Sequence, residues 1–174
     1  MKREELCKSV YDAAYITGEF LLRSGKISNE YFDKYQFEGR PELLAAIADE
    51  FAAHYDFSKY DALAALEMGG IPIATAISLR TGIPMVLVRK KAKEYGTCKI
   101  AEGMNIAGNK LLIVEDVVTS GGQIIISVGE LRNRGAIVED AICVIDREQG
   151  GPEALAEAGI SLTPLFTMTE LKNF

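Results

Sequence analysis

Basic charge is scarce in this chain, and so are histidine, cysteine and long apolar runs. With 19 Lys and Arg against 25 Asp and Glu, the formal net charge is -6, which argues against general affinity for nucleic acid or a membrane surface, both anionic. One histidine, His54, and three scattered cysteines, Cys7, Cys98 and Cys143, offer no CxxC spacing and no set of metal ligands. Such thiols suit a reducing compartment better than a disulfide frame. No apolar run reaches the length that spans a bilayer, and Met1-Lys2-Arg3-Glu4-Glu5 lacks the apolar core of a secretory leader. The expectation is a cytoplasmic protein. The chain also has no GxxxxGK[ST], which excludes a P-loop kinase, no GxGxxG and no nucleophile elbow.

What is present fits one domain around a single core, spanning 1–174: the chain has 174 residues, 48% hydrophobic and 25% charged. Residues 2–16 read as an amphipathic helix, and 18–37 as strand-like and broken at Ser24-Gly25, a small irregular hairpin. Arg40-Pro41 starts a helix that runs to about His54, where a histidine suits the helix C-terminus. From Ala62 onward strands alternate with helices: strand 62–66, helix 71–79, strand 84–88, strand 110–114, helix 121–134, strand 141–145, a short helix near 153–158 and a strand near 162–166. That alternation predicts a parallel sheet covered on both faces. Residues 90–109 have no clear period, and a segment of this length in a compact domain suggests a functional lid.

The most informative stretch is Leu111-Leu112-Ile113-Val114-Glu115-Asp116-Val117-Val118-Thr119-Ser120-Gly121-Gly122-Gln123. A buried strand ends in two adjacent carboxylates, where open α/β sheets place their ligands. The small-residue loop Thr119–Gln123 can wrap N–H groups and hydroxyls around a phosphate at the start of the next helix. Two acids beside a phosphate nest repel a polyphosphate but suit ribose hydroxyls, so the ligand that fits is a sugar 5-phosphate. Against the acidic background, Arg89, Lys90, Lys91, Lys93 and Lys99 crowd together. A cationic flap there could neutralise a leaving pyrophosphate and exclude water, or be an ordinary solvated charge run.

The stretch resembles the binding motif for phosphoribosyl pyrophosphate (PRPP) in the type I phosphoribosyltransferases. The resemblance implies that Glu115 and Asp116 hold the ribose hydroxyls and that Thr119, Ser120, Gly121, Gly122 and Gln123 hold the 5-phosphate, with Val117 and Val118 between them in the same motif. Four further segments resemble the orotate branch of that family, in the same order along the chain. Arg89-Lys90-x-x-Lys93-x-x-Gly96 is similar to its catalytic loop, which implies that Arg89, Lys90 and Lys93 stabilise the pyrophosphate; many relatives carry His where Tyr95 stands. Met68-Gly69 is similar to the pyrophosphate loop, where some relatives carry Lys in place of Gly69. Asp146-Arg147-Glu148 implies that Arg147 meets the orotate, a guanidinium being the natural partner of a planar carboxylate. Phe20 to Asp33 is similar to the N-terminal hood, with Arg23 or Lys26 reaching substrate, Tyr31 and Phe32 flanking the pyrimidine, and Thr119 also near it.

The fold implied is α/β, a mainly parallel five-stranded sheet flanked by helices. Residues of about 1–40 would form the hood and first helix, and about 41–174 the PRPP-binding core with a flexible loop near 89–105. The activity implied is transfer of phosphoribose from PRPP to orotate, giving orotidine 5-monophosphate and pyrophosphate in pyrimidine (UMP) synthesis. Mg²⁺ would be held mainly through PRPP, without a protein cage, and the family implies a homodimer. A transferase for another base and a PRPP-sensing regulator remain open alternatives.

Overall fold

The structure is a computed structural model that describes residues 1–22, 25–92 and 99–173. Helix α1 (Arg3–Ala14) leads into an antiparallel hairpin of β1 (Tyr15–Leu21) and β2 (Ile27–Phe32). A four-residue helix, α2 (Tyr35–Glu38), turns the chain into α3 (Pro41–His54). The core follows as β3 (Ala62–Leu66), α4 (Gly70–Thr81), β4 (Met85–Val88), β5 (Ala101–Glu102), β6 (Lys110–Val118), α5 (Gly122–Arg132), β7 (Ile137–Asp146), α6 (Gly151–Glu157), β8 (Ser161–Thr167) and α7 (Met168–Lys172).

The main sheet runs β5-β4-β3-β6-β7-β8. Five strands are mutually parallel, as the alternation predicts, and a sixth is added: two-residue β5 pairs antiparallel with Leu87 and Val88. So short a strand leaves no periodicity to read, and the sequence reading leaves it inside the 90–109 loop. Two central strands are also longer than expected. β6 continues through the acid pair to Val118 because β7 keeps bonding it, with Glu115 opposite Cys143 and Val118 opposite Asp146. Residues 35–37, read as strand-like, are helical, and α7 goes unforeseen because five residues carry less than two turns of amphipathic pattern.

Period-two alternation in the buried strands divides the core into two layers. Leu112 and Val114 pack with α1, α3, α4 and α7 through Leu6, Val10, Ile47, Ile73 and Leu171. Leu111 and Ile113 pack with α5 and α6 through Ile124, Val128, Leu131 and Leu155 on the other face. His54 ends α3 with Nδ1 at 3.0 Å from the Glu50 carbonyl, the structural place expected of it. On the outer side of β8, Arg3 donates to the Leu165 carbonyl at 2.7 Å and to Glu170 at 3.0 Å, clasping α1 to α7.

Candidate active site

The carboxyl end of the sheet gathers nearly all the residues that sequence reasoning singles out, because in a parallel sheet every strand delivers its following loop to that edge. The β6–α5 turn forms a cavity of about 230 Å³, lined by Glu115, Val117, Val118 and all of 119–123. Gly121 takes φ 76 there, a left-handed conformation only glycine adopts freely, and it aims the chain into α5. Gln123 donates to Ser127 Oγ at 3.2 Å, so its side chain is tied back along α5. The turn is left with exposed Thr119 and Ser120 hydroxyls and the N–H groups of a helix start, the donor set a phosphate requires.

The acid pair does not face one way. Alternation along β6 turns Glu115, half-buried, toward the 119–123 cavity and sends Asp116, 0% exposed, to the other face. There Asp116 Oδ2 lies 2.6 Å from Lys34 Nζ, and Glu38 turns its carboxyl to the same group. Gly69 packs directly on it: a Cβ at position 69 would fall 1.5 Å from Asp116 Oδ2. Against the upward pull of burial, the Glu38 hydrogen bond and the Lys34 ammonium hold Asp116 below the usual carboxylate range. Burial and the Asp116 charge push Glu115 up to about 8. Between the two acids, negative charge therefore concentrates on Asp116, where Lys34 balances it. Sequence reasoning missed Lys34 and Glu38 because a strand-like reading of 18–37 hides the α2 turn that presents both.

The second cavity, of about 310 Å³, lies under the hairpin and brings together Tyr31, Phe32 and Arg147, with Tyr15, Glu30 and Lys172 also in its wall. Arg147 follows β7 and its backbone N–H donates to Val118 O at 2.9 Å, so this cavity and the phosphate cavity adjoin the same strand end. The Arg147 guanidinium stands 5.9 Å from the Phe32 ring centroid, and its Nε is buried without a hydrogen-bond partner. A buried charged donor left unpaired is costly unless a ligand completes it. Thr119 lines the phosphate cavity, not this one.

Met68 is exposed and Gly69 buried in the turn before α4, which a cis Glu67–Met68 bond precedes. Glu67 Oε1 accepts from the Lys90 N–H at 2.6 Å, which ties this turn to the start of the cationic loop. Arg89 Nε stands 3.6 Å from Glu102 Oε1, and the Lys90 side chain is exposed. Arg23, Lys93 and Tyr95 lie outside the described residues. Lys26, the alternative to Arg23, is exposed in the hairpin turn, where its carbonyl accepts the Leu22 N–H at 2.8 Å.

Comparison with known proteins agrees with this geometry. The family model of the phosphoribosyl transferase domain matches residues 36–163, and the chain belongs to that family. Among curated relatives, the orotate phosphoribosyltransferase of Nocardioides sp. is 47% identical over 156 residues, covering 90% of this chain and 87% of its own. That of Thermoplasma volcanium is 40% identical over 173 residues, 99% of this chain and 100% of its own. In structure, orotate phosphoribosyltransferase from Aeropyrum pernix superposes with a TM-score of 0.83 at 30% identity, over 97% of this chain and 96% of that one. The Mycobacterium tuberculosis enzyme in complex with PRPP gives 0.80 at 26% identity, over 98% of each. Within the family the chain falls in the orotate phosphoribosyltransferases.

Proposed function

We propose that the protein transfers the 5-phosphoribosyl group of PRPP to orotate, releasing pyrophosphate and forming orotidine 5-monophosphate for pyrimidine synthesis. The observation that carries this reading is the pairing of the two cavities at one strand end. One offers hydroxyls, N–H groups and a carboxyl for a sugar phosphate, the other an unpartnered guanidinium beside an aromatic ring for a planar anion. No covalent nucleophile is needed: a ring nitrogen displaces pyrophosphate at the anomeric carbon, and the protein positions both partners and stabilises charge.

Thr119–Gln123 anchor the 5-phosphate, Glu115 and Asp116 serve the ribose, and Arg147 orients orotate over Phe32 and Tyr31. Arg89, Lys90 and Lys93 take the charge of the leaving group, with Met68-Gly69 alongside. Mg²⁺ belongs to the proposal as neutralising charge on the diphosphate. In this reading the ion is bound chiefly through PRPP oxygens and water, as phosphate-bound Mg²⁺ commonly is. Glu115 is the carboxyl at the cavity wall that its water shell could meet.

The test is pyrophosphate release from PRPP and Mg²⁺ with orotate, uracil, adenine, hypoxanthine and nicotinate supplied in parallel. Release with orotate alone is the expected outcome. Release with another base overturns the acceptor, and binding of PRPP without release from any base points to a regulator.

The reading includes a homodimer. A groove of about 620 Å³ between α3 and α4, walled by Leu44, Ala48, Ile71, Ala76 and Leu79, supports it, with Leu79 84% exposed. A large apolar side chain so exposed at the rim of an apolar groove is a feature of association surfaces. Leu79→Glu is expected to shift sedimentation from dimer to monomer; an unchanged sedimentation coefficient would place the interface elsewhere. A cytoplasmic location completes the proposal. It is supported by free, buried Cys7 and Cys143, whose thiols burial pushes up and so keeps unreactive. Among the described residues no helix is long and apolar enough to cross a membrane.

A further inference from the structure

Three carboxyl groups and one ammonium meet where the hairpin joins the core. Glu38 is 6% exposed and Asp116 0%. Asp116 Oδ2 is buried with Lys34 Nζ 2.6 Å away, and Glu38 Oε1 is a buried oxygen that no N–H reaches beside the same carboxylate. Two acids so placed are tolerable only with a proton between them. Glu38 is the member that keeps it: burial, then its bond to Asp116, pushes Glu38 up to about 9. Burial pulls Lys34 down, but its hydrogen bond to Asp116 and the negative charge around it together more than offset that and keep the ammonium charged. Glu115, the remaining acid of the group, accepts the Asp116 N–H at 3.0 Å.

We propose that Lys34 and Glu38 are positioning residues of the PRPP site, fixing Asp116 in place and in its ionised form for the ribose. The inference rests on the transferase reading above. An ionised carboxylate accepts hydrogen bonds from both hydroxyls of a diol and favours positive charge developing on the sugar; a protonated one does neither as well. Of the two side chains that hold Asp116, Lys34 is the accessible one, 33% of its side chain exposed, so a diol approaches Asp116 past this ammonium. Both residues lie on the α2 segment, which connects the hairpin over the base cavity to α3. The hairpin over the base cavity and the group that holds Asp116 are therefore joined by one element.

Four variants test this: Glu38→Leu, Glu38→Gln, Lys34→Met and Lys34→Arg. Glu38→Leu and Lys34→Met are each expected to lower kcat/KM for PRPP roughly tenfold or more, the scale of one charge-assisted hydrogen bond, while the KM for orotate stays near that of the parent. Glu38→Gln, whose amide still donates, and Lys34→Arg are expected to retain most activity. In Lys34→Met the acid limb of kcat/KM should move to higher pH, because Asp116 loses the cation that holds it low. Equal losses in Glu38→Gln and Glu38→Leu, or an acid limb unmoved in Lys34→Met, would overturn the proposal.

Thermal melts give a readout independent of turnover. The folded parent keeps the Glu38 proton up to about 9 while the unfolded chain releases it in the ordinary glutamate range. The parent therefore loses stability as pH rises through that window, and Glu38→Gln should gain on it over the same window. A difference flat with pH would remove the buried acid. A parent inactive with orotate would instead sink the transferase reading, leaving the melts to decide the state of Glu38.

Discussion

Gly69→Ala is expected to damage both the fold and the PRPP site. The added methyl would lie 1.5 Å from Asp116 Oδ2, far inside contact distance, and the atom it meets belongs to a fully buried side chain. Neither partner yields easily, since Asp116 is held by Lys34 and Glu38 and Gly69 opens the turn into α4. Overpacking of this kind typically costs about 1–3 kcal/mol, which in a domain of this size lowers Tm by about 3–10 °C. The displaced carboxylate should also raise the KM for PRPP, by roughly tenfold or more on the scale of one charged contact. Calorimetry and steady-state kinetics on one preparation check both. Unchanged melting together with normal PRPP kinetics would mean that Gly69 and Asp116 are not packed as described.

Arg147→Ala should produce the largest substrate-selective effect. The guanidinium Nε is buried with no partner, beside the Phe32 ring, in a cavity that otherwise presents tyrosines, Glu30 and Lys172. Removing one partner of a desolvated charge pair costs about 2–5 kcal/mol, so the KM for orotate is expected to rise on the order of 100-fold. The KM for PRPP should change little, because the cavity lined by 119–123 lies on the other side of the strand end. Arg147→Lys should recover only part of the loss, since an ammonium cannot match two carboxylate oxygens at once. Equal rises for both substrates would place Arg147 away from the base.

The parts of this site that lie within one continuous segment were legible in the sequence. The 119–123 turn forms its cavity from consecutive residues, and the small residues that permit it are those that announce it. The central parallel strands were equally legible, since β3, β6 and β7 are buried apolar runs that each lead into a helix. Contacts between distant segments were not. Lys34 meets Asp116 from a distant part of the sequence, and no local period at residues 33–38 signals a side chain turned inward. The acid pair shows both sides of this limit. Its place at the end of a buried strand followed from the run before it. Its division between two faces required knowing that β6 stays paired with β7 beyond Val114.

That continued pairing makes the spacing of residues along β6 a functional quantity. Side chains on a strand alternate strictly, so sliding β6 by one position against its neighbours would exchange the two acids. A glutamate would then enter the pocket by Gly69, too small to receive it, and an aspartate would fall short of the phosphate turn. Insertions and deletions should therefore divide sharply by location. One residue added before Lys110, in the connection that follows β5, leaves the strand free to keep its partners. The pairing with β7 already carries a bulge at Leu111/Leu112, where an added residue has an unpaired partner, but one residue added between Ile113 and Asp116 inverts the half of the strand that bears the acids. A scan of single-residue insertions across 103–118, scored by orotate turnover, should show a step past that bulge and not a gradual decline.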